Sequence, residues 1–363
     1  MKTFRGAFAA LGTTLVMGMT AAVTPASAQY FEGKTIKVVV GFATGGTDTA
    51  ARIIARRLGD YTPGNPTIIV KNMPGAGNLL AQNFVFERAD PDGLTIGFNP
   101  FQVMTQVTGQ EGVRFSYPEF TYIAGVKGPG FATVARANIV EGGFDAPADI
   151  AKIDKPLLYT GRNALHSIDV LSTISLDVLG LEYTYVPGFS GSPDLTTSME
   201  QDETNITGAG SVHYVAHIVP PLMDKGIAVP LYQFGLIQED GSIAPDDTYP
   251  DVPLFRDFYA DALGGEPSGE VYEAFVFAEQ THGLANWLLV GPPGIDPEIA
   301  DILREAARQA MADPETIAET LKIESKPFEF ISFARASGPL DAIKNLDPAM
   351  EAFWKERVTR MLQ

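Results

Sequence analysis

The fold is decided first by residues 36–52, which read IKVVVGFATGGTDTAAR. The run 36–40 is apolar apart from Lys37, which is typical of a strand buried in a parallel sheet. A glycine-rich turn follows, and Thr47 or Asp48 is suited to cap the helix after it. A strand, a loop of small residues and a helix in this order predict one βα unit of an α/β protein.

The same order recurs along the chain. Residues 67–70 predict a second strand and residues 78–88 a second helix, and the turn at 90–93 leads into a strand at 94–98. Further strands are predicted at 157–159, 183–186, 228–234 and 287–290, and amphipathic helices follow near Asp296, Asp313 and Pro348. The stretch 238–269, rich in Asp, Pro and Gly, is predicted to lie on the surface. The sequence therefore predicts an α/β fold.

Composition narrows the class of protein. A chain of 363 residues suggests two domains, and its 45% of hydrophobic residues exclude disorder. There are 44 acidic against 26 basic residues, a net charge of −18, which opposes nucleic-acid binding. Cysteine is absent, so disulfides, cysteine-ligated metal centres and thiol nucleophiles are excluded.

Residues 1–28 have the pattern of a secretory signal peptide. Two basic residues near the start precede an apolar run at 7–23 and the small residues 26–28, which read ASA. We predict cleavage after Ala28 and an exported, periplasmic protein; a retained membrane anchor is the alternative. No later apolar run reaches the roughly 18 residues that span a bilayer.

Four loops share one design, with small residues between a strand and a helix start: 41–48, 74–78, 160–163 and 187–192. Glycine lets backbone amides approach a ligand, and a helix start adds unpaired N–H donors with partial positive charge. Such loops bind anions without Lys or Arg. The alternative is that they are ordinary βα turns, and the residues alone leave both interpretations open.

The sequence evidence for an enzyme is weaker than the evidence for an anion-binding protein. Residues 188–192 come close to the G-x-S-x-G nucleophile elbow but end in serine, which leaves a hydrolase using Ser190 with His166 or His213 as an alternative. We predict that the protein is not an enzyme and needs no cofactor.

A metal site is a second minor alternative. His213 and His217 are spaced to share one helix face, but Tyr214 stands where an H-E-x-x-H site has its glutamate. We predict no metal.

Two motifs resemble those of a known family. Residues 36–52 and residues 70–93, which read VKNMPGAGNLLAQNFVFERADPDG, are similar to the two opening signatures of the Bug family. Its members are the extracytoplasmic solute receptors of tripartite tricarboxylate transporters. Residues 160–166, 186–194 and 287–294 follow the family's later landmarks in order, so the resemblance covers nearly all of the mature chain.

The resemblance implies a two-domain Venus-flytrap fold, type II-like, with two crossover segments. Domain 1 would comprise residues 30–126 and 236–363, and domain 2 residues 127–235. A small organic anion, expected to be a carboxylate, would be captured by domain closure. A monomeric receptor would then deliver it to the integral membrane subunits of the transporter. A sensory receptor of the same fold is the alternative.

The resemblance also implies which residues hold the ligand, and the chain's own chemistry adds two. The planar guanidinium of Arg162 could pair with one carboxylate of the ligand through two parallel hydrogen bonds, while Thr44 to Thr47 would hold the other end from domain 1. Alternatively, Arg162 pairs with a surface carboxylate beside the cleft. The expected ligand-binding residues are Phe42, Ala43, Thr44, Gly45, Gly46, Thr47, Asp48 and Asn78 from domain 1, and Gly161, Arg162, Asn163, Ala164, His166, Gly188, Ser190 and Asp194 from domain 2.

The sequence departs from the family pattern in ways that indicate a divergent member. Gly41 stands where the family usually has proline, and Arg162 where it has a small or polar residue. One residue is missing between Gly46 and Asp48 and another in the second loop. The segment 238–285 is longer than usual.

Overall fold

The structure is a computed structural model that describes residues 30–362 except 44–45, 190–191, 239, 241 and 325. The predicted signal peptide and its cleavage site lie outside these residues. The strands are β1 Thr35–Val40, β2 Thr67–Asn72, β3 Thr95–Pro100, β4 Thr121–Lys127, β5 Phe131–Arg136, β6 Leu157–Thr160, β7 Tyr183–Val186, β8 Ile206–Gly210, β9 Ala228–Gln233, β10 Leu236–Ile237, β11 Ile243–Ala244, β12 Trp287–Gly291 and β13 Glu329–Ile331.

The helices alternate with these strands through most of the chain. They are α1 Gly46–Tyr61, α2 Leu79–Arg88, α3 Val103–Val107, α4 Ser167–Val178, α5 Ser192–Glu200, α6 Ser211–His213, α7 Phe255–Leu263, α8 Glu270–His282, α9 Pro297–Ala312, α10 Pro314–Thr320, α11 Phe333–Lys344 and α12 Pro348–Met361. A π-helical stretch, Tyr214–Met223, continues α6. Over the described residues, no helix is long and apolar enough to cross a membrane.

The first sheet has the strand order β13-β4-β12-β3-β1-β2. Strand β1 is parallel to both β2 and β3, whereas β12 runs antiparallel to β3 and β4. Val38 and Val40 of β1 are buried in a hydrophobic cluster with Ile54 of α1 and Leu303 of α9. The first βα unit therefore forms as the apolar run and the amphipathic helix predict.

The second sheet has the order β7-β6-β8-β5-β9. Strand β6 is parallel to β7 and β8, and β5 runs antiparallel to β8 and β9. Helix α4 lies against β8 at Gly208, where an added Cβ would be 2.5 Å from both Ile168 and Ser172. A glycine at this point is what lets helix and strand pack so closely.

The chain passes between the two sheets twice. It leaves the first sheet after β4 through residues 128–130, and it returns from β9 to β12 by way of the β10–β11 hairpin, α7 and α8. The prediction of an α/β fold with two crossover segments is confirmed. The domain limits at 126 and 236 stay a prediction.

Many residues of the stretch 238–269 are exposed as predicted, but the prediction is wrong for several that are buried. Phe255 and Phe258 are each 1% exposed and pack on Tyr232 of β9. Asp246 is also buried, where it accepts a hydrogen bond from the amide of Gly130. Composition rich in Asp, Pro and Gly indicates turns, but it does not reveal which aromatic residues between the turns find a core.

Candidate functional site

The parallel strands of each sheet end at one edge, and the loops that follow them lie together there. In the first sheet these are residues 41–43 after β1, residues 73–78 after β2 and Phe101 after β3. In the second sheet they are residues 161–166 after β6 and residues 187–189 after β7.

The two edges face each other. Ser167 Oγ, at the start of α4, lies 3.5 Å from the carbonyl oxygen of Phe101. Phe101 and Ala164 belong to one continuous hydrophobic cluster. Phe101 after β3 and the start of α4 after β6 are thus brought together from the two sheets.

Asp48 anchors the first loop from within. It is 3% exposed and accepts hydrogen bonds from Arg52 Nε at 3.0 Å and from Asn72 Nδ2 at 2.8 Å. Asn72 Nδ2 also donates to the carbonyl of Phe42 at 2.8 Å. The hydrogen bond from Arg52 is the main reason why the pKa of Asp48 is lowered. The Asp48 carboxylate therefore supports the loop as an internal acceptor.

The rest of the first loop is more open. Ala43 and Gly46 are exposed, and Thr47 Oγ1 accepts a hydrogen bond from Trp287 Nε1 at 3.1 Å. Thr44 and Gly45 lie outside the described residues.

Asn78 occupies a special position in the second loop. Its backbone is left-handed, with φ 86°, and its side chain is 1% exposed. Both amide atoms are shielded from solvent and have no hydrogen-bond partner among the described residues. A Cβ on Gly41 would lie 1.7 Å from Asn78 Oδ1, so the glycine at position 41 makes room for this side chain.

The backbone amides of the second-sheet loops already donate within the protein. Gly161 N–H donates to the Val186 carbonyl at 3.0 Å, Gly188 N–H to the Arg162 carbonyl at 3.2 Å, and Phe189 N–H to the Gly161 carbonyl at 3.3 Å. These bonds hold the two loops together. A ligand at this edge therefore meets side chains more than free amides.

Asp169 of α4 accepts hydrogen bonds from two further backbone amides. Its Oδ2 accepts from Arg162 N at 2.6 Å, from Asn163 N at 3.2 Å and from the Tyr185 hydroxyl at 3.0 Å. The residue is fully buried, and burial raises its pKa to about 6 although Arg162 and these hydrogen bonds oppose the rise. The backbone amides of Arg162 and Asn163, which the sequence suggests as donors to a bound anion, therefore donate to the carboxylate of Asp169 instead.

Arg162 faces this carboxylate. Its side chain is 18% exposed, and Nη1 is 3.7 Å from Asp169 Oδ1, an ion pair longer than a hydrogen bond. The carboxylate paired with Arg162 is thus a buried residue of α4, not the surface carboxylate that the sequence suggested as an alternative partner. Nη1 finds no hydrogen-bond partner in the part of the chain that the structure describes.

Further shielded polar atoms lie around Arg162. Thr160 Oγ1, His166 Nδ1 and His213 Nδ1 likewise lack a hydrogen-bond partner among the described residues. Burial and the charge of Arg162 lower the pKa of both His166 and His213 to about 3, so both imidazoles are neutral at physiological pH. His213 Nε2 is 3.2 Å from Thr196 Oγ1. The second-sheet edge therefore offers one cation and neutral hydrogen-bonding groups.

The remaining expected site residues occupy varied positions. Ala164 is buried, and Asn163 Oδ1 accepts a hydrogen bond from Leu165 N at 3.0 Å. Gly188 has φ 99°, which favours glycine, and Asp194 lies in the first turn of α5. Ser190 lies outside the described residues.

Comparison with known proteins gives one relative and several similar structures. No family model matches the chain. The "UPF0065 protein in gbd 5'region" of Cupriavidus necator is 24% identical over 348 residues, which cover 91% of each chain. The periplasmic binding protein BugD is 18% identical with a TM-score of 0.59, over 91% of this chain and 98% of BugD.

Two further solved structures have a similar fold over most of the chain. A TctC solute-binding protein from Polaromonas has a TM-score of 0.63 at 16% identity, over 90% of this chain and 99% of that one. MatC from Rhodopseudomonas palustris, with bound malate, has a TM-score of 0.57 at 20% identity, over 90% and 100%. The chain has the fold of the Bug and TctC periplasmic binding proteins. The resemblance indicated by the sequence motifs is confirmed.

In this Bug/TctC-type fold, the enzymatic alternatives gain no support. A histidine with a pKa of about 3, such as His166 or His213, is a poor general base at neutral pH. His213 and His217 have ring centroids 6.3 Å apart. Among the residues described, no three His, Asp or Glu side chains converge as a metal site requires.

Proposed function

We propose that the protein is a periplasmic solute-binding receptor that captures a small carboxylate between the loops of its two sheets. The observation that carries this proposal is the set of shielded, unpartnered polar atoms on Asn78, Arg162, His166 and His213, all at the facing strand ends. Buried polar groups usually have partners, so these groups are suited to receive a ligand. The Bug/TctC-type fold supports the same function.

Arg162 is the proposed carboxylate clamp on the second-sheet side. Its guanidinium is mostly buried but makes no hydrogen bond through Nη1 to any described residue. A charge-assisted pair with a carboxylate is stronger than a neutral hydrogen bond, and it is favoured further where water is excluded. Asn78 and the loop 42–48 contact the ligand from the first-sheet side.

The receptor works by closing its two domains around the ligand. Domain 1 comprises residues 30–126 and 236–363, and domain 2 residues 127–235, so both crossover segments serve as the hinge. A ligand that contacts both domains favours the closed state by its difference in affinity for the two states. Small-angle scattering should then give a smaller radius of gyration with ligand.

The receptor is a monomer that is exported by the signal peptide at 1–28. It delivers its ligand to the integral membrane subunits of a tripartite tricarboxylate transporter. The fold and the family motifs support this partner. N-terminal sequencing of periplasmic protein should begin at Gln29, whereas an intact Met1 in a soluble cytosolic pool would contradict export.

The ligand is tested with the mature chain and a panel of malate, succinate, adipate and citrate. Thermal shift identifies a binder, and titration calorimetry gives its dissociation constant. Arg162→Ala should weaken binding roughly 10- to 150-fold, because a hydrogen bond to a charged group contributes roughly 1.5–3 kcal/mol. Arg162→Lys should restore part of the affinity, since Lys lacks the planar fork.

The matched control is Arg308→Ala, which removes an arginine that is paired with Glu305 on the surface of α9. Its affinity should equal that of the parent. An affinity of Arg162→Ala within about twofold of the parent would remove Arg162 from the site. Failure of the whole panel to bind would contradict the carboxylate proposal.

A further inference from the structure

We propose that ligand capture at this site is coupled to the uptake of one proton by Asp169, whose buried carboxylate competes with the ligand for Arg162. This inference rests on the proposed function, and it adds a pH dependence to it. Asp169 acts as a positioning residue, because it holds the loop and the guanidinium without contacting the ligand.

The first step of the argument is the arrangement of the two oxygens of Asp169. Oδ2 accepts from the amides of Arg162 and Asn163 and from the Tyr185 hydroxyl. Oδ1 faces the guanidinium at 3.7 Å and the Tyr159 hydroxyl at 3.4 Å. One oxygen thus fixes the loop, and the other is weakly bound and open to protonation.

The second step is the charge balance at this edge. The groups at Asp169 are Arg162 and Asn163 from the loop, Tyr159 from β6 and Tyr185 from β7. Helix α8 also packs against α4 and carries His282, whose pKa burial lowers to about 3. Both tyrosines have raised pKa values because of burial and the Asp169 charge, so they remain neutral. The nearby His166 and His213 are neutral as well. Arg162 and Asp169 therefore balance each other.

The third step is what a ligand carboxylate changes. A second negative charge beside Arg162 must share one guanidinium with Asp169. A like charge in a buried site raises the pKa of a carboxyl group. Since the pKa of Asp169 is already raised to about 6 by burial, a further rise brings protonation into the neutral range. The proton moves from solvent to Oδ1, Arg162 pairs with the ligand, and Oδ2 keeps its amide donors.

The coupling has a measurable sign. Between the pKa of Asp169 in the free protein and its higher pKa in the complex, affinity should rise by up to about tenfold per unit fall in pH. Titration calorimetry from pH 6.5 to 8.5, with the tightest binder of malate, succinate, adipate and citrate, measures this slope. Repeating the titration at pH 7 in buffers of different ionisation enthalpy should reveal uptake of up to about one proton.

Two variants assign the proton to Asp169. Asp169→Asn imitates the protonated form, so its affinity should not depend on pH and should at least equal the parent's at pH 8.5. Tyr185→Phe removes a hydrogen bond that lowers the pKa of Asp169, so the midpoint of the affinity curve should move to higher pH. The second variant keeps the proposal testable if the first does not fold.

The matched control is Glu279→Gln, which removes another buried carboxylate with an arginine partner, Arg256. Its pH slope should match the parent's. Absence of proton uptake in the parent, an unchanged slope in Asp169→Asn, or a slope lost in Glu279→Gln would overturn the coupling. If none of the four carboxylates binds, the proposed function fails and the coupling with it. Binding without proton uptake removes the coupling alone.

Discussion

Arg357 Nε lies 2.7 Å from Asp177 Oδ2, across 180 residues of sequence. The arginine belongs to α12 at the end of the chain, and the aspartate to α4 beside the second sheet. Arg357 Nη2 also donates to the Tyr183 hydroxyl of β7 at 3.0 Å. Helix α12 is thus tied to α4 and to β7 of the second sheet. The proposed closure of the domains would either carry α12 along or exchange this contact.

Arg357→Gln should lower the free energy of unfolding by about 3 kcal/mol, because it leaves a largely buried carboxylate without its partner. Arg357 itself is 1% exposed at its side chain. Arg360→Gln is the control, since Arg360 also approaches Asp177, at 3.9 Å, but is 67% exposed. That change should cost less than about 0.5 kcal/mol. Chemical denaturation measures the unfolding free energy of both variants. Equal losses of stability would contradict the view that the buried pair between Arg357 and Asp177 stabilises the fold.

Gly208→Ala should destabilise the second sheet by about 1–3 kcal/mol, the usual cost of overpacking a core. The added Cβ would lie 2.5 Å from Ile168 and Ser172. Gly210→Ala, two residues along the same strand, is the control, because its Cβ would meet Ile168 at an ordinary 3.4 Å. Thermal and chemical unfolding of both variants should separate them clearly. Similar stabilities would mean that α4 can shift away from β8 at little cost.

The sequence predicts those parts of the fold that are marked locally. An apolar run followed by glycine and a helix cap identifies β1 and α1, because the strand, the turn and the cap each depend on residues that are adjacent in the sequence. Strands β4 and β5 are missing from the prediction. Residues 128–130 between them carry the chain from one sheet to the other, close to the crossing at 126/127 that the resemblance implies.

The candidate site is predictable only in part, because some of its contacts join residues that are distant in the sequence. Arg162 is visible as an unusual residue in a glycine loop, but its partner Asp169 sits inside α4. The burial of that carboxylate depends on Tyr159 and Tyr185 from two neighbouring strands. Long-range packing of this kind leaves no spacing pattern in the sequence. The one available signal is an aspartate between the apolar residues Ile168 and Val170.

Glu279 should make stability depend on pH near neutrality. Burial raises its pKa from 4.5 to about 7, despite the charge of Arg256. The folded state therefore holds a proton that the unfolded state has released between these values. The stabilising contribution is full below about 4.5 and is lost as pH rises through about 7. Glu279→Gln removes this loss, so its unfolding free energy relative to the parent should rise from pH 5 to 8.

The control for this measurement is Asp149→Asn. Hydrogen bonds, chiefly from Lys152, lower the pKa of Asp149 to about 2, so it is ionised in both states above pH 5. The difference in unfolding free energy between Asp149→Asn and the parent should therefore stay constant from pH 5 to 8. A flat difference for Glu279→Gln would show that this carboxyl group titrates outside the neutral range.

Asn78→Gly should separate ligand binding from stability. Glycine accepts the left-handed backbone at φ 86°, so the loop keeps its shape. The lost amide has no hydrogen-bond partner among the described residues, so its removal should change the unfolding free energy by less than about 1 kcal/mol. Affinity for the carboxylate should fall about tenfold, as for loss of one good hydrogen bond to a charged group.

Asn65→Gly is the matched control for that change. Asn65 also has positive φ, at 45°, but it is exposed in the turn before β2, at the opposite end of that strand from the loop that holds Asn78. Its affinity should equal the parent's. Because both substitutions replace a left-handed asparagine by glycine, a shared loss of affinity would point to general loosening of the backbone. A loss confined to Asn78→Gly would instead assign the amide to the ligand.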